Sequence, residues 1–264
     1  MQGPILVFDS GIGGLSVLSE IRRTLPARDY CYLFDNARLP YGELQEEDLV
    51  SGCVALVTEA ARQIKASLVV IACNTASTLV LPALRAEMTI PVVGVVPAIK
   101  PAAQFSQSGI IGLIATPGTV RRSYTHDLVA KFASHCQVHM FGSSELVVMA
   151  EAKMAGQPVN MPLLDDILRP VREAHVDVLV LGCTHFPLLA EEFTEVLGDG
   201  VTLLDSGKAI ASRVAHLLEG QGEHDSLSPN SMKAWYTTPS ISNGLSANLQ
   251  AYGFGEVCRF DPNS

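Results

Sequence analysis

Seven short apolar segments, separated by stretches with helical periodicity, constrain the fold of this chain more than any other feature of its sequence. The segments are ILVFD, YCYLF, LVVIACN, PVVGVV, GLIAT, VLVLGC and VTLLD. Between them apolar residues recur at helical spacing, as in Leu15, Leu18, Ile21 and Leu25, a series that stops at Pro26. Uninterrupted apolar strands that alternate with helices are typical of parallel sheets covered on both faces. The pattern predicts an α/β fold with mainly parallel sheets flanked by helices.

The composition fits one large domain or two modest ones and disfavours several classes of function. The 264 residues are 48% hydrophobic and 17% charged, which is ample for a core. The net charge is −9 and no basic run occurs, so we expect neither nucleic acid nor an anionic membrane as a partner. The start, MQGPILVFDS, lacks the features of a signal peptide, and no apolar segment has membrane-spanning length. We therefore expect a cytoplasmic protein whose six scattered cysteines are reduced.

Polar residues stand at the ends of several apolar segments, which is where binding sites lie in parallel α/β folds. They are Asp9-Ser10, Cys73-Asn74-Thr75, Thr116 and Cys183-Thr184-His185. Cys73 follows Asp9 by 64 positions and Cys183 follows Thr116 by 67. In each pair a glycine-containing turn comes directly after the first strand. This repetition predicts two similar lobes, each of which contributes one cysteine to a shared cleft.

The connector VVPAIKPAAQ, which holds two prolines, marks the predicted boundary between the lobes. We expect residues 1–97 and 208–264 to form the first lobe, and residues 98–207 to form the second. After Gly220 the sequence predicts a polar loop, a weak strand at KAWYTT, a short helix and another weak strand at EVCRF.

Cys73 and Cys183 are the residues that most clearly indicate chemistry. A single buried cysteine is more often a packing residue. Two cysteines that each end a strand before a helix favour chemistry, because a helix N-terminus stabilises a thiolate. Two thiols on opposite faces of a carbon acid can remove a proton from one face and return one to the other, which inverts the stereocentre.

Each thiol then needs a group that tunes its protonation. His185 could serve Cys183, and Asp9 could serve Cys73, although a carboxylate raises the pKa of a thiol. Asp9 could instead order the ammonium group of a substrate, or cap the helix that follows it.

Other chemistries explain only parts of this pattern. Cys183 and His185 are too close in sequence for the usual structural zinc pair, and no second pair has ligand spacing, so we expect no metal. A cysteine–histidine hydrolase would leave Cys73 unexplained. The GIGG turn offers backbone N–H groups to a carboxylate or phosphate, but it is not a GxGxxG motif, which disfavours a nucleotide. No lysine lies in these motifs, so a pyridoxal Schiff base is not indicated and we expect no cofactor.

Further candidate ligand-binding groups accompany these motifs. In the loop DNARLPYG, Tyr41 and the backbone of Gly42 could close over a ligand, whereas we expect Arg38 to be solvated. The neutral hydrogen-bonding residues suited to carboxylate and ammonium groups are Asn74, Thr75 and Thr184.

In order and spacing, five motifs closely resemble those of the glutamate racemases: FDSGIGGLSV, DNARLPYG, ACNTAS, IATPGTV and LGCTHFPLL. The likeness extends from Val7 to about Gly220. It implies a cofactor-independent enzyme that interconverts L- and D-glutamate for peptidoglycan synthesis, with its active site between two α/β lobes. It also implies that Cys73 takes the proton from D-glutamate and Cys183 takes it from L-glutamate.

The resemblance further implies a set of ligand-binding residues and a regulator. The set is Asp9, Ser10, Tyr41, Gly42, Asn74, Thr75, Thr116, Thr119, Thr184 and His185. The family places a glutamate beside the second thiol; Glu151 is our alignment choice and Glu145 is the alternative. The segment SSELVVMAEAKMAG is similar to the enteric-type subgroup, in which some members are activated by a UDP-linked muramyl precursor.

Two alternative functions and the oligomeric state stay open. An aspartate- or hydantoin-type racemase of the same superfamily would differ in the length of side chain that it prefers. A two-lobed amino-acid-binding protein without turnover is the alternative from another class, and the intact Cys73 and Cys183 argue against it. A homodimer is one of the oligomeric states open to the chain.

Overall fold

A computed structural model describes residues 3–219 and 231–262, which form two parallel sheets flanked by helices. Within these ranges the strands are β1 (Ile5–Asp9), β2 (Tyr30–Phe34), β3 (Leu68–Ile71), β4 (Val92–Gly94), β5 (Ile110–Ala115), β6 (Gln137–Gly142), β7 (Val178–Leu181), β8 (Thr202–Leu204), β9 (Met232–Tyr236) and β10 (Glu256–Arg259). The helices are α1 (Leu15–Thr24), α2 (Glu46–Ile64), α3 (Asn74–Ser77), α4 (Leu81–Glu87), α5 (Ile99–Phe105), α6 (Pro117–Arg121), α7 (Ser123–Phe132), α8 (Glu145–Met154), α9 (Met161–Glu173), α10 (Ala190–Leu197), α11 (Gly207–Leu218) and α12 (Asn243–Tyr252). Short 3₁₀ helices cover Ile12–Gly14, Asn36–Arg38, Tyr41–Glu43 and Phe186–Leu189.

The two sheets repeat one strand order. The first runs β10-β9-β2-β1-β3-β4 and the second runs β6-β5-β7-β8, and every neighbouring pair is parallel. The first four strands of the chain are thus ordered second, first, third, fourth, and the next four repeat that order. This repeat agrees with the duplication that the spacing of the polar strand ends predicted. We call the elements around the first sheet the first lobe and those around the second sheet the second lobe.

All seven apolar segments form strands, whereas the sequence did not predict β6. That strand lies at the edge of the second sheet, and its residues are half-buried or exposed, so it has no continuous apolar run. The two weak strands predicted near the C-terminus are β9 and β10, with α12 between them. The polar loop predicted after Gly220 falls on residues 220–230, which lie outside the described residues.

Helices cover both faces of the first sheet. This is required because successive side chains of β1 point to opposite faces of the sheet. Ile5 and Val7 pack in one apolar cluster with α1 and α11, while Leu6 and Phe8 pack in another with α2 and α4. The chain therefore returns to the first lobe at α11, directly after the last strand of the second sheet. The domain limits at 97/98 and 207/208 stay a prediction.

The second sheet is covered in the same way. Leu146 of α8 and Leu164 of α9 belong to the cluster on one face, and Ile99 of α5 belongs to the cluster on the other. In residues 3–219 and 231–262 no helix combines the length and apolar character needed to cross a membrane.

Candidate active site

The site forms where the carboxyl ends of the central strands of the two sheets meet. In the first sheet β1 adjoins β3, and in the second β5 adjoins β7, and in both sheets the strand order reverses direction at that point. Ligands of open α/β sheets bind at such switch points. Asp9 ends β1 and Cys73 follows β3, while Thr116 follows β5 and Cys183 follows β7. The duplicated fold therefore brings the predicted polar strand ends to equivalent positions in both lobes.

Cys73 is a buried thiol whose environment favours its protonated form. It is the N-cap residue of α3, with 5% of its surface exposed. The N–H of Ala76 donates to its Sγ (3.5 Å), and the hydroxyl of Ser10 lies 3.7 Å from the same atom. Burial, followed by the Asp9 carboxylate, raises the pKa of Cys73 well above its ordinary value, and these hydrogen bonds offset only part of that rise. Cys73 is thus a neutral thiol at neutral pH.

Asp9 is fully buried and joins the two lobes. Its Oδ1 accepts a hydrogen bond from the N–H of Ser10 (2.6 Å), and its Oδ2 accepts one from the hydroxyl of Thr184 (2.8 Å). It does not cap a helix, because Gly11 and Gly14 are the N-cap residues that follow it. Burial raises the pKa of Asp9, and a nearby imidazole and the hydrogen bonds counter part of that rise.

A chain of three side chains extends from the second thiol. Cys183 Sγ lies 3.8 Å from Nδ1 of His185, and Nε2 of His185 lies 2.8 Å from Oε1 of Glu151. Burial alone would lower the pKa of His185, but its hydrogen bonds to Cys183 and Glu151 prevail and hold that pKa well above its usual range. The imidazolium is therefore the stable form, and it can exchange a proton with Cys183. Unlike Cys73, Cys183 is followed not by an α-helix but by a 3₁₀ helix, Phe186–Leu189.

The geometry distinguishes the two glutamates that the sequence left as alternatives. Glu151 lies beside His185 and also accepts a hydrogen bond from the N–H of Ile12 (2.8 Å). Glu145 stands at the start of α8 and accepts from the hydroxyl of Ser143 (2.8 Å) instead. The GIGG turn therefore does bind a carboxylate, and the carboxylate belongs to the protein itself.

Two glycines of that turn make this approach of the lobes sterically feasible. A Cβ on Gly11 would lie 2.0 Å from Oε1 of Glu151, and a Cβ on Gly13 would lie 2.4 Å from Nδ1 of His185. The glycines thus serve the contact between the lobes rather than a phosphate. The sequence gives no sign of two further supports of the turn. Tyr32 donates its hydroxyl to the carbonyl of Gly11 (2.5 Å), and Ser16 donates to the carbonyl of Gly13 (2.8 Å).

Three threonine hydroxyls form a buried triangle between the lobes. The Oγ1 atom of Thr75 lies 3.2 Å from those of Thr116 and Thr119, which are 3.1 Å from each other. Each hydroxyl has one proton to donate and two lone pairs to accept with. Hydroxyls that bond to one another in this way can rotate to bind a carboxylate or an ammonium group.

Asn74 and Gly42 complete the wall of the site. Asn74 is buried, and its Oδ1 has no hydrogen-bond partner among the described residues, which is uncommon for a buried acceptor. A donor such as an ammonium group would satisfy it. A Cβ on Gly42 would lie 3.0 Å from Oγ1 of Thr116, so the backbone of this loop packs directly on the triangle.

The hydroxyl of Tyr41 is engaged by residues of its own lobe. The hydroxyl donates to Oδ2 of Asp35 (2.6 Å) and accepts from Arg38 (2.9 Å), so it is held within the first lobe. Arg38, which we expected to be solvated, also donates from Nε to Asp35 (2.6 Å). Within the described ranges no group of three or more His, Cys, Asp or Glu residues is placed to hold a metal ion.

Comparison with known proteins agrees with this geometry. Residues 5–214 match the family model described as Asp/Glu/Hydantoin racemase. A glutamate racemase of Shewanella sp. (strain ANA-3) is 61% identical, over 98% of this chain and 97% of the relative. The structure of Escherichia coli glutamate racemase in complex with L-glutamate and the activator UDP-MurNAc-ala is 50% identical, with a TM-score of 0.92 over 98% of both chains. A glutamate racemase isoform from Bacillus anthracis is 31% identical with a TM-score of 0.80, over 98% of this chain and 97% of that one. With two facing α/β lobes, a thiol in each, and a match over most of its length, the chain belongs to the Asp/Glu/hydantoin racemase family.

Proposed function

We propose that the chain interconverts L- and D-glutamate without a cofactor, and that Cys73 and Cys183 are its two acid–base groups. The observation that carries the proposal is the pair of buried thiols at equivalent positions of two facing lobes. They are close enough that charge on Cys183 raises the pKa of Cys73. The names of the relatives, and the L-glutamate bound in the Escherichia coli enzyme, support glutamate as the substrate.

The protonation states favour one starting arrangement. Cys73 is the thiol, and Nδ1 of His185 lies 3.8 Å from Sγ of Cys183, where an imidazolium would stabilise the thiolate that the reaction needs. The thiolate of Cys183 takes the Cα proton of L-glutamate, and the electron pair of the broken C–H bond stays on Cα. The thiol of Cys73 then gives its proton to the opposite face, which yields D-glutamate and a Cys73 thiolate. The reaction from D-glutamate follows the same steps in reverse.

The residues around each thiol would support it in different ways. The N–H of Ala76 and the hydroxyl of Ser10 stabilise the thiolate that Cys73 becomes. On the other side, Glu151 fixes His185 through its Nε2, so that Nδ1 faces Cys183. We propose Asp9, His185 and Glu151 as the residues that assist the thiols.

Neutral hydrogen-bonding groups and the carboxylate of Asp9 would hold the substrate. The ammonium group suits the unpartnered Oδ1 of Asn74 and the carboxylate of Asp9, while the carboxylates suit hydroxyl and backbone donors. The remaining residues that we propose for substrate binding are Ser10, Tyr41, Gly42, Thr75, Thr116, Thr119, Thr184 and His185. For Tyr41, whose hydroxyl is engaged by Asp35, the contribution would come from its ring or backbone.

We further propose a cellular role and a regulator. D-glutamate would supply peptidoglycan synthesis in the cytoplasm and thereby sustain the cell wall and cell shape. A UDP-linked muramyl precursor would activate the enzyme, since the Escherichia coli relative is described with UDP-MurNAc-ala as its activator.

The direct test is chiral chromatography of L-glutamate incubated with the purified protein, with and without UDP-MurNAc-ala and without added cofactor. We expect D-glutamate to accumulate until the two enantiomers are equal. L-aspartate and a hydantoin serve as competing substrates, and turnover of either in place of glutamate would favour the other branches of the superfamily. Ligand binding with no racemisation of any substrate would instead favour a binding protein.

A further inference from the structure

A second pocket lies between the lobes, outside the site described above. It has a volume of about 480 Å³, within the ~300–1,000 Å³ range of small-molecule sites. The first lobe lines it with Gln45 and Glu46, and the second lobe lines it with Arg121, Arg122 and Tyr124. The proposed reaction makes no use of any of these residues.

A close contact between two glycines lies between this pocket and the threonine triangle. A Cβ on Gly118 would lie 2.7 Å from the carbonyl oxygen of Gly42, and Gly42 packs in turn on Thr116. Both glycines also line the outer pocket. Because Gly42 and Gly118 carry no side chains, a small separation of the lobes at this contact would open the pocket toward the triangle.

Arg122, which lines this pocket, has an N–H group without a hydrogen-bond acceptor among the described residues. Its side chain is 13% exposed, and its buried Nη1 has no hydrogen-bond partner among the described residues. Its Nε lies 3.4 Å from Oε1 of Glu46, whose side chain is 66% exposed. A long ion pair with so exposed a carboxylate contributes little to stability and exchanges readily, whereas a buried donor without an acceptor is costly. Nη1 is closed off from solvent in this arrangement, so a carboxylate reaches it only when the pocket widens. The guanidinium can then bind that second carboxylate through two N–H groups.

The charge of the protein indicates a role for Arg122. The chain has a net charge of −9, which repels an anionic substrate at long range. A pocket with two arginines against one carboxylate offsets that repulsion locally. We propose that Arg122 captures a carboxylate of the incoming amino acid in this outer pocket, and that the capture contributes to kcat/KM. This inference rests on the proposed function, since it takes an acidic amino acid as the substrate.

The test compares two variants that break the same ion pair, Arg122→Gln and Glu46→Gln. If the pair acts as a latch between the lobes, both variants change kcat/KM in the same direction. If Arg122 captures the substrate, Arg122→Gln lowers kcat/KM for L-glutamate about three- to tenfold, while Glu46→Gln raises it, because a competing carboxylate is gone. We expect kcat to change little in either variant, and Arg122→Lys to restore part of the loss.

Salt dependence and matched controls complete the design. Raising the ionic strength from about 0.01 M to 1 M shortens the Debye length from about 30 Å to 3 Å. It should therefore narrow the difference in kcat/KM between wild type and Arg122→Gln. Arg169→Gln and Glu59→Gln make the same charge changes at exposed ion pairs, and Glu59 lies about 20 Å from Glu46 along α2. Both should behave like wild type.

The outcomes separate this inference from the function on which it rests. If wild type does not racemise glutamate, the proposed function fails. If wild type is active and Arg122→Gln keeps its kcat/KM, or if both variants shift in the same direction, the capture role is wrong. Thermal unfolding of each variant checks that any loss is not a loss of fold.

Discussion

A single methyl group at Gly11 should slow the enzyme strongly without unfolding it. The Cβ of a Gly11→Ala variant would lie 2.0 Å from Oε1 of Glu151 and 2.8 Å from Nε2 of His185. The backbone imposes no penalty, since φ is −151° at Gly11, an extended conformation that any residue adopts. Most of the strain must therefore be relieved by movement of Glu151, the far end of a flexible side chain. Smaller shifts are needed from His185 and from Leu39, whose Cδ1 would lie 2.9 Å from the new Cβ.

The size of that movement sets the expected loss. An ordinary contact needs 3.4 Å where the substitution leaves 2.0 Å, so the carboxylate must retreat by about 1.4 Å. A retreat of that size breaks the 2.8 Å contacts of Glu151 with His185 and with the N–H of Ile12. Misplacing a catalytic group by about 1 Å costs on the order of 10²-fold in rate, and removing an acid–base partner costs about 10²–10⁴-fold. We expect kcat to fall about 10²-fold, with a melting temperature close to that of wild type.

Circular dichroism can follow racemisation, and thermal unfolding can follow stability. Gly200→Ala is the matched control, because no atom lies within 4 Å of the Cβ that it adds. A double-mutant cycle with Glu151→Ala tests the mechanism. Once the carboxylate is absent, Gly11→Ala should cause a much smaller further loss, namely the part that comes from its contacts with His185 and Leu39. Normal turnover by Gly11→Ala, or an equal loss in both backgrounds, would refute the argument that the glycine serves Glu151.

Four further predictions concern the thiols and their partners. Cys73→Ala and Cys183→Ala should each abolish racemisation in both directions while the fold persists; near-normal turnover of either, with circular dichroism as the assay, would exclude two bases. L-glutamate in D₂O should yield D-glutamate with deuterium at Cα in the first turnovers, as mass spectrometry can measure, and unlabelled product would indicate a single base. His185→Asn should change the primary isotope effect on kcat/KM more for Cα-deuterated L-glutamate than for D-glutamate, and equal changes would assign the imidazole to substrate binding. Turnover of L-glutamate needs the Cys73 proton, and burial and the Asp9 carboxylate raise the pKa of that thiol above its ordinary 9.0. kcat at saturating L-glutamate reports groups in the bound complex, so it should persist beyond pH 9 and fall as pH rises through that raised pKa. Asp9→Asn should move this decline in kcat to lower pH, and an unshifted profile would contradict the assignment.

Periodicity and strand-end chemistry made much of this protein predictable from its sequence. The apolar segments identified the central strands, because a strand buried on both faces must be apolar throughout. The cysteines were recognisable because a thiol at the end of such a strand lies where α/β folds bind ligands. The exception was β6. It is an edge strand whose residues are half-buried or exposed, so its sequence has no continuous apolar run.

Only the tertiary structure decided which groups meet across the lobes. Glu145 and Glu151 stand on one helix, and no local pattern separates them, yet only Glu151 reaches His185. The GIGG turn looked like an anion site, and the anion that it binds is a side chain 139 positions away. Local sequence encodes the burial pattern of each element, whereas a contact between lobes depends on how two separate cores are oriented. That orientation results from many packing contacts in both cores. The residues that meet between the lobes therefore do not encode it by themselves.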